Sequence, residues 1–271
     1  MPRQATSLLD LDPAEVYDYL QELGQPGYRA RQVLTAIYRR LIFDPAKLGD
    51  LPLNVRALLA EGLPVLPVEP LREQVAADGQ TRKWLFKLPD GKTVETVLME
   101  YNRRGSRPRR TVCLSSQVGC AIGCVFCATG RAGLTRNLSV GEIVGQVLWV
   151  ARFLADRRPA EAVTNLVFMG QGEPLQNRAA TFGAIERLND PDLFGLGARH
   201  MTVSTSGLAP GIRALADFPY QVNLAVSIHA PNDELRTRLV PINIRYPIAE
   251  VLDACRYYID RTHRRVTFEY V

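Results

Sequence analysis

The chain has 271 residues, of which 46% are hydrophobic, 23% charged and 8% aromatic. That mix excludes a disordered, collagenous or disulfide-stapled chain, and at about 150 residues per domain it leaves room for one large domain or two smaller ones. Lys and Arg number 33 against 28 Asp and Glu, and the resulting net charge of +5 favours an anionic partner without naming it.

In chain order, Asp12-Pro13-Ala14-Glu15 predicts a helix start. It offers an N-cap, a proline in the first turn and the reciprocal Glu of a capping box, and Val16, Leu20 and Leu23 follow on one face. A second helix is expected to carry Tyr28, Val33, Leu34, Ile37, Tyr38 and Leu41. Arg29, Arg31, Arg39 and Arg40 fall elsewhere on it, as a solvated face or a nucleic-acid surface. Residues 1–62 therefore form an expected helical accessory domain. The proline-rich run at 63–70 reads as a connector. Asp78-Gly79 and Asp90-Gly91 are hairpin turn signals flanking Trp84 to Leu88, with 93–98 as the next strand, so residues 63–110 are expected to be a connector and a small β-hairpin extension. Within it, Arg103, Arg104, Arg107, Arg109 and Arg110 crowd into 102–110, a density that predicts an exposed basic loop able to touch RNA phosphates.

Residues 111–271 change pattern to short apolar strands alternating with longer helical segments. Expected strands are 111–115, 165–169, 200–204, 222–227 and 266–271. The clearest helix opens at the capping box Ser139-Val140-Gly141-Glu142 and runs on through Ile143, Val147, Val150 and Leu154. Such alternation implies parallel strands with a ligand site at their carboxyl ends. No apolar run approaches the roughly 20 residues that cross a bilayer, and Met1-Pro2-Arg3-Gln4 opens without an apolar signal core. No membrane association is expected, and the expected location is cytoplasmic.

The five cysteines are an odd count, and Cys113, Cys120, Cys124 and Cys127 lie within fifteen residues, which suits metal or redox chemistry better than disulfides. Cys120-Ala121-Ile122-Gly123-Cys124-Val125-Phe126-Cys127 follows a strand. Three thiolates on one loop can hold three irons of a cubane cluster and leave the fourth open. A structural zinc with a fourth ligand from Cys113 or a distant His, or three inert buried thiols, are the alternatives that spacing leaves standing. Cys255, within a helix at 249–259, reads as core packing.

The Cys-x-x-x-Cys-x-Phe-Cys run resembles the signature of radical S-adenosylmethionine (SAM) enzymes. Further motifs follow in order: Thr111-Val112-Cys113-Leu114-Ser115-Ser116-Gln117-Val118-Gly119-Cys120, then Met169-Gly170-Gln171-Gly172-Glu173-Pro174-Leu175, then Val203-Ser204-Thr205-Ser206-Gly207, then Ser227-Ile228-His229-Ala230-Pro231-Asn232-Asp233. Together they resemble the RlmN/Cfr family of RNA adenosine methyltransferases, the RlmN branch most closely, from the N-terminal helices to the last residue.

The resemblance implies an α/β fold: a partial radical SAM (β/α)6 barrel, truncated in or after its fifth strand, spanning residues 111–271. It implies a 4Fe-4S cluster on Cys120, Cys124 and Cys127, and SAM against Gly172, Glu173, Ser204, Ser227, Ile228 and His229. It makes Glu95 the general base that takes a proton from the methylated carbon, and Cys113 the thiol that resolves a protein–RNA intermediate by forming a disulfide. Each has a plainer reading: Glu95 as a solvated strand residue, Cys113 as a small core residue, His229 as a satisfied turn residue, and Ser204 and Ser227 as simple strand ends.

The implied reaction makes 2-methyladenosine in 23S ribosomal RNA and in tRNA beside the anticodon, with a flavodoxin-like one-electron reductant as donor and the protein a monomer. An ordinary SAM methyl donor needs a nucleophile, and adenine carbon 2 is electrophilic, so a radical route is required. Family members continue past Tyr270-Val271 to a sixth strand and a methyl-carrying cysteine that no cysteine here matches. A fragment unable to complete the transfer is therefore expected. The alternatives are a Cfr-type reaction at carbon 8, a zinc-containing RNA-binding protein, and a radical SAM enzyme acting on a small molecule or peptide.

Overall fold

The computed structural model describes residues 5–102, 105, 107–158 and 161–271. The Asp12 carboxylate accepts from the Glu15 amide and Glu15 accepts from the Asp12 amide, so α1 (Pro13–Glu22) starts at its capping box, a device worth ~1 kcal/mol. Helix α2 (Tyr28–Tyr38) buries Ala30, Val33, Ala36, Ile37 and Tyr38. It stops before Leu41, which takes a left-handed backbone at φ 54° and so lies outside the helix expected to hold it. Helix α3 (Leu53–Glu61) completes this region. Its buried side chains join one continuous core with those of the sheet. The Asp10 carboxylate locks the two together by accepting from the Gly141 amide at 2.9 Å.

Strands β1 (Glu69–Val75), β2 (Thr81–Lys87) and β3 (Thr93–Tyr101) form an antiparallel meander. β4 (Arg109–Cys113) pairs antiparallel with β3 and parallel with the strand beyond it. After it, β5 (Gln117–Gly119) and β6 (Leu134–Asn137) form a separate two-stranded ladder enclosing the short α4 (Ala128–Arg131). There follow α5 (Val140–Arg157), β7 (Asn165–Phe168), α6 (Arg178–Asn189), β8 (Met201–Thr205), α7 (Ala209–Ala216), β9 (Asn223–Ser227), α8 (Asp233–Leu239), α9 (Ile248–Thr262) and β10 (Val266–Glu269). Among the described residues the main sheet has eight strands in the order β1-β2-β3-β4-β7-β8-β9-β10. Its last five are parallel, as the strand-helix alternation requires. Among the described residues no helix is long and apolar enough to cross a membrane.

The three strands of the extension continue the parallel sheet through the β3–β4 pairing. Part of the expected connector is strand β1, an edge whose residues are all exposed. The basic run is not all loop either. Arg109 and Arg110 belong to β4, and Arg110 is buried because Glu161 meets its guanidinium at 2.6 Å, which compensates the charge. Arg107 is exposed, while Arg103 and Arg104 lie outside the described residues.

The two faces of the parallel strands differ in chemistry. Val112, Leu166, Phe168, Met201, Val203, Leu224 and Val226 point to one face and are buried. Paired positions in the ladders place Cys113, Val167, Thr202, Ser204, Ala225, Ser227 and Glu269 on the other, which is largely polar and partly open. On the apolar side Trp84 and Phe86 of β2 pack edge-on against Trp149, and Trp84 also against Phe153. At roughly 1.5–3 kcal/mol per large buried side chain, these contacts fix the meander on α5.

Candidate active site at the carboxyl ends of the strands

Chain direction brings the loops after β4, β7, β8 and β9 to one end of the sheet, and Gln146 of α5 ties the first of them down. It is fully buried; its Oε1 accepts from Thr96 Oγ1 (2.7 Å) and the Ser115 amide (2.9 Å), and its Nε2 donates to the Ser115 carbonyl (3.0 Å). Ser115 then donates through Oγ to the Glu95 carbonyl (2.6 Å) and accepts from the Gln171 amide (3.0 Å). Because β3 runs antiparallel to β4 with Val97 opposite Cys113, Glu95 falls beyond the end of β4, at the same end of the sheet as the loops. Its carboxylate meets Lys83 Nζ at 2.8 Å, and both side chains are about two-fifths exposed, at 40% and 39%.

Cys120, Cys124 and Cys127 occupy the loop between β5 and α4. That loop is pinched shut where Cys120 donates its amide to the Gly133 carbonyl at 3.0 Å. Gly119 permits the approach: its φ is 78°, and a Cβ there would sit 1.9 Å from the same carbonyl oxygen. Cys127 caps α4, its Sγ accepting from the Gly130 amide at 3.5 Å. All five cysteines are free thiols.

Burial pushes the Cys124 thiol up to about 11, with Cys120, Cys127 and Glu173 adding to the shift. Cys120 is raised by the same burial and by Glu173 and Cys127. The mouth thus gathers potential anions that call for a cation. Among the described residues no group of three or more His, Cys, Asp or Glu side chains stands close enough together to hold one metal ion. A cubane takes each thiolate on a separate iron, so three thiols spread along one loop are a donor set for it. The three-thiol donor set fits an iron-sulfur cluster.

Gly172 and Glu173 follow β7. Gly172 has φ 104°, and a Cβ there would lie 2.6 Å from that of Gln117. The backbone can therefore turn Glu173 inward, where Gln117 Oε1 accepts its amide at 2.8 Å. The Glu173 carboxylate is buried and accepts from the Ser206 amide (2.8 Å), Ser206 Oγ (2.7 Å) and the Leu175 amide (3.1 Å). Burial raises its proton affinity and those hydrogen bonds oppose the rise. Among the described residues no Lys, Arg or His forms an ion pair with it. A buried carboxylate in this condition suits an ammonium-bearing ligand such as SAM.

Ser204 and Ser227 meet on a residue that the sequence reading missed. Glu269, at the end of β10, accepts from Ser204 Oγ at 3.3 Å and from Ser227 Oγ at 3.0 Å. Its carbonyl also accepts the amides of Ile228 (3.0 Å) and His229 (3.3 Å). The available signal was a charged residue at the carboxyl end of a strand, two positions beyond Thr267. His229 takes a left-handed backbone at φ 56°, a strained state for a residue with a Cβ. It packs edge-on against Phe126, and its buried Nδ1 has no partner. An orphaned ring nitrogen beside the cysteine loop suits a polar ligand there. Cys113 shares this face. Burial pushes its thiol up to about 11, and the Glu269 charge adds to the shift. Cys255, by contrast, is buried on α9, which agrees with its reading as core.

Comparison with known proteins bears on this site. A family model described as the radical SAM superfamily matches residues 114–271, and one described as the ribosomal RNA large subunit methyltransferase N-terminal domain matches residues 6–65. A probable dual-specificity RNA methyltransferase RlmN of Desulfitobacterium hafniense (strain Y51) is 48% identical over 260 residues, covering 96% of this chain and 72% of the relative. One from Chloroflexus aurantiacus is 50% identical over 267 residues, covering 97% and 69%. The crystal structure of a radical SAM methyltransferase from Sphaerobacter thermophilus superposes with a TM-score of 0.92 at 51% identity, covering 98% of this chain and 76% of that one.

Proposed function

Since the chain belongs to the radical SAM superfamily, and within it to the RlmN group of RNA methyltransferases, we propose that it serves the methylation of carbon 2 of adenine in 23S ribosomal RNA and in tRNA beside the anticodon, through a methyl-carrying cysteine that is none of its own five. The family uses a 4Fe-4S cluster and SAM. In this reading Cys120, Cys124 and Cys127 hold the cluster, and Gly172, Glu173, Ser204, Ser227, Ile228 and His229 line the SAM pocket. The observation that carries the reading is the convergence of the cysteine loop, the unpaired buried carboxylate of Glu173 and the polar strand ends at one end of the sheet.

When bound, the cluster supplies the electron that cleaves the SAM sulfonium and opens radical chemistry. Glu173 binds and orients the amino group of SAM by charge. Glu95, placed at the mouth by the β3–β4 register and steadied by Lys83, removes the proton from the methylated carbon. Cys113, on the same face, supplies the thiolate that attacks the sulfur of the methyl carrier: the S–S bond forms as the bond from that sulfur to the RNA-linked carbon breaks, and that carbon takes the electron pair and a proton to become the methyl group. None of the five cysteines is assigned the methyl-carrier role. The reductant is a flavodoxin-like one-electron donor, and the protein acts as a cytoplasmic monomer. Arg107 and Arg109, exposed beside the meander, are suited to RNA phosphates.

Mass spectrometry of nucleosides from a host lacking 2-methyladenosine and carrying the full gene tests the assignment. New 2-methyladenosine in both RNAs is expected; 8-methyladenosine in its place refutes the choice of carbon.

A further inference from the structure

Among the described residues Arg236 of α8 is the charged side chain most completely withdrawn from solvent, at 0% exposure. Its donors are spent on neutral acceptors. Nη2 donates to the Ser206 carbonyl (2.6 Å) and the Ser227 carbonyl (3.5 Å), and Nε to the Ile228 carbonyl (3.2 Å). Nη1 donates to Asn243 Oδ1 (2.7 Å) and the Tyr246 carbonyl (3.4 Å). Among the described residues no carboxylate lies within ion-pair distance of it. Asp233, one turn earlier, is exposed and accepts from the Ile248 amide through Oδ1 at 2.8 Å. A buried cation with satisfied hydrogen bonds and no counter-charge is costly, and proteins seldom keep one without an anion in view.

Asp233 supplies part of that counter-charge, and the cysteine loop, whose thiols become thiolates when they hold metal, supplies the rest. The Val125 amide donates to the Leu239 carbonyl at the end of α8 at 3.1 Å, and Cys120 and Ile122 pack in a small apolar cluster with Val240. Cys124 packs against the same cluster and acts on Arg236 electrostatically, as does Asp233. Burial disfavours protonation of the His229 ring, and the Arg236 charge adds to that while Glu269 opposes it.

We propose that Arg236 is a positioning and charge-balancing residue for the cluster held by Cys120, Cys124 and Cys127. Its guanidinium fixes the carbonyls where β8 and β9 end, and its buried positive charge raises the cluster's reduction potential. The proposal rests on the cluster reading of the three cysteines. Reduction adds one electron to a centre already surrounded by thiolates, so a fixed cation nearby stabilises the reduced state more than the oxidised one. At an effective dielectric of about 20 a nearby buried unit charge alters the reduction equilibrium by about tenfold, which is about 59 mV for one electron.

The test is a redox titration, followed by electron paramagnetic resonance, of the anaerobically reconstituted chain and its variants. Iron content and thermal melting are measured on each. Arg236→Gln is expected to lower the midpoint potential by about 59 mV or more, and Arg236→Lys, which keeps the charge, to restore most of it. Asn243→Asp covers the case in which Arg236→Gln fails to fold: it keeps the 2.7 Å bond to the guanidinium while giving that charge a partner, and the potential is expected to fall. Full clusters at the unaltered potential in Arg236→Gln or Asn243→Asp overturn the proposal, as does an equal fall in Arg236→Lys and Arg236→Gln. Failure of the unaltered chain to take up iron refutes the cluster reading itself, a result distinct from an unmoved potential.

Discussion

Replacing Glu173 with Gln isolates the charge of the carboxylate buried at the mouth of the sheet. The side chain accepts from the Leu175 amide at one oxygen and from Ser206 at the other. A Gln with its oxygen turned to Ser206 keeps that pair and loses the Leu175 bond, at a cost of about 1 kcal/mol. The variant also sheds a desolvated anion, which offsets that loss. Its unfolding free energy should therefore stay within about 1 kcal/mol of the parent. Binding of SAM should not be spared. A hydrogen bond between buried charged groups contributes about 1.5–3 kcal/mol, which at about 1.4 kcal/mol per decade weakens binding by roughly ten- to a hundredfold. Calorimetric titration of SAM into reconstituted protein reads the affinity, and urea denaturation reads the stability. A folded Glu173→Gln variant that binds SAM as tightly as the parent would show that Glu173 serves only to anchor Ser206.

Other expectations concern the surroundings of the site. The Arg136 guanidinium, donating to Asp90 at 2.7 Å, holds that carboxyl at about 2, below its ordinary 3.8. The pairing therefore stabilises the fold above about pH 4 and is lost as pH falls toward 2. With the Asp90 side chain 41% exposed, screening limits the effect to about 1 kcal/mol or less. Asp90→Asn should flatten this part of the urea-stability profile between pH 2 and 5, and an unchanged profile refutes the assignment. Gly172→Ala combines a left-handed backbone with a Cβ 2.6 Å from that of Gln117, so destabilisation of at least ~2 kcal/mol is expected by denaturant titration; an unshifted midpoint contradicts it. Cys255, buried and with its thiol pushed up to about 11, should resist iodoacetamide at pH 8 until urea unfolds the chain, as peptide mapping would show.

The parts of this architecture legible in the sequence were those set by near neighbours. Both capping boxes start their helices where Asp12 and Ser139 stand, and the parallel strands lie within a residue or two of their expected places. Most of what was missed depends on distant partners. β1 is an exposed edge with no apolar alternation to reveal it. Arg110 resembled one more loop arginine until Glu161, 51 residues away, neutralised it. Arg236 sits in Asp-Glu-Leu-Arg-Thr-Arg-Leu, which reads as a solvated helix. Only the folded chain brings the carbonyls of Ser206 and Ser227 to its guanidinium. Glu269 likewise acquires its meaning from two serines on neighbouring strands.

Iron counted per chain after anaerobic reconstitution with iron and sulfide tests the central claim most directly. About four irons per chain, lost when Cys120, Cys124 or Cys127 is changed to Ala and retained when Cys255 is, is the predicted result. A single bound zinc, or no iron at all in a folded chain, contradicts it.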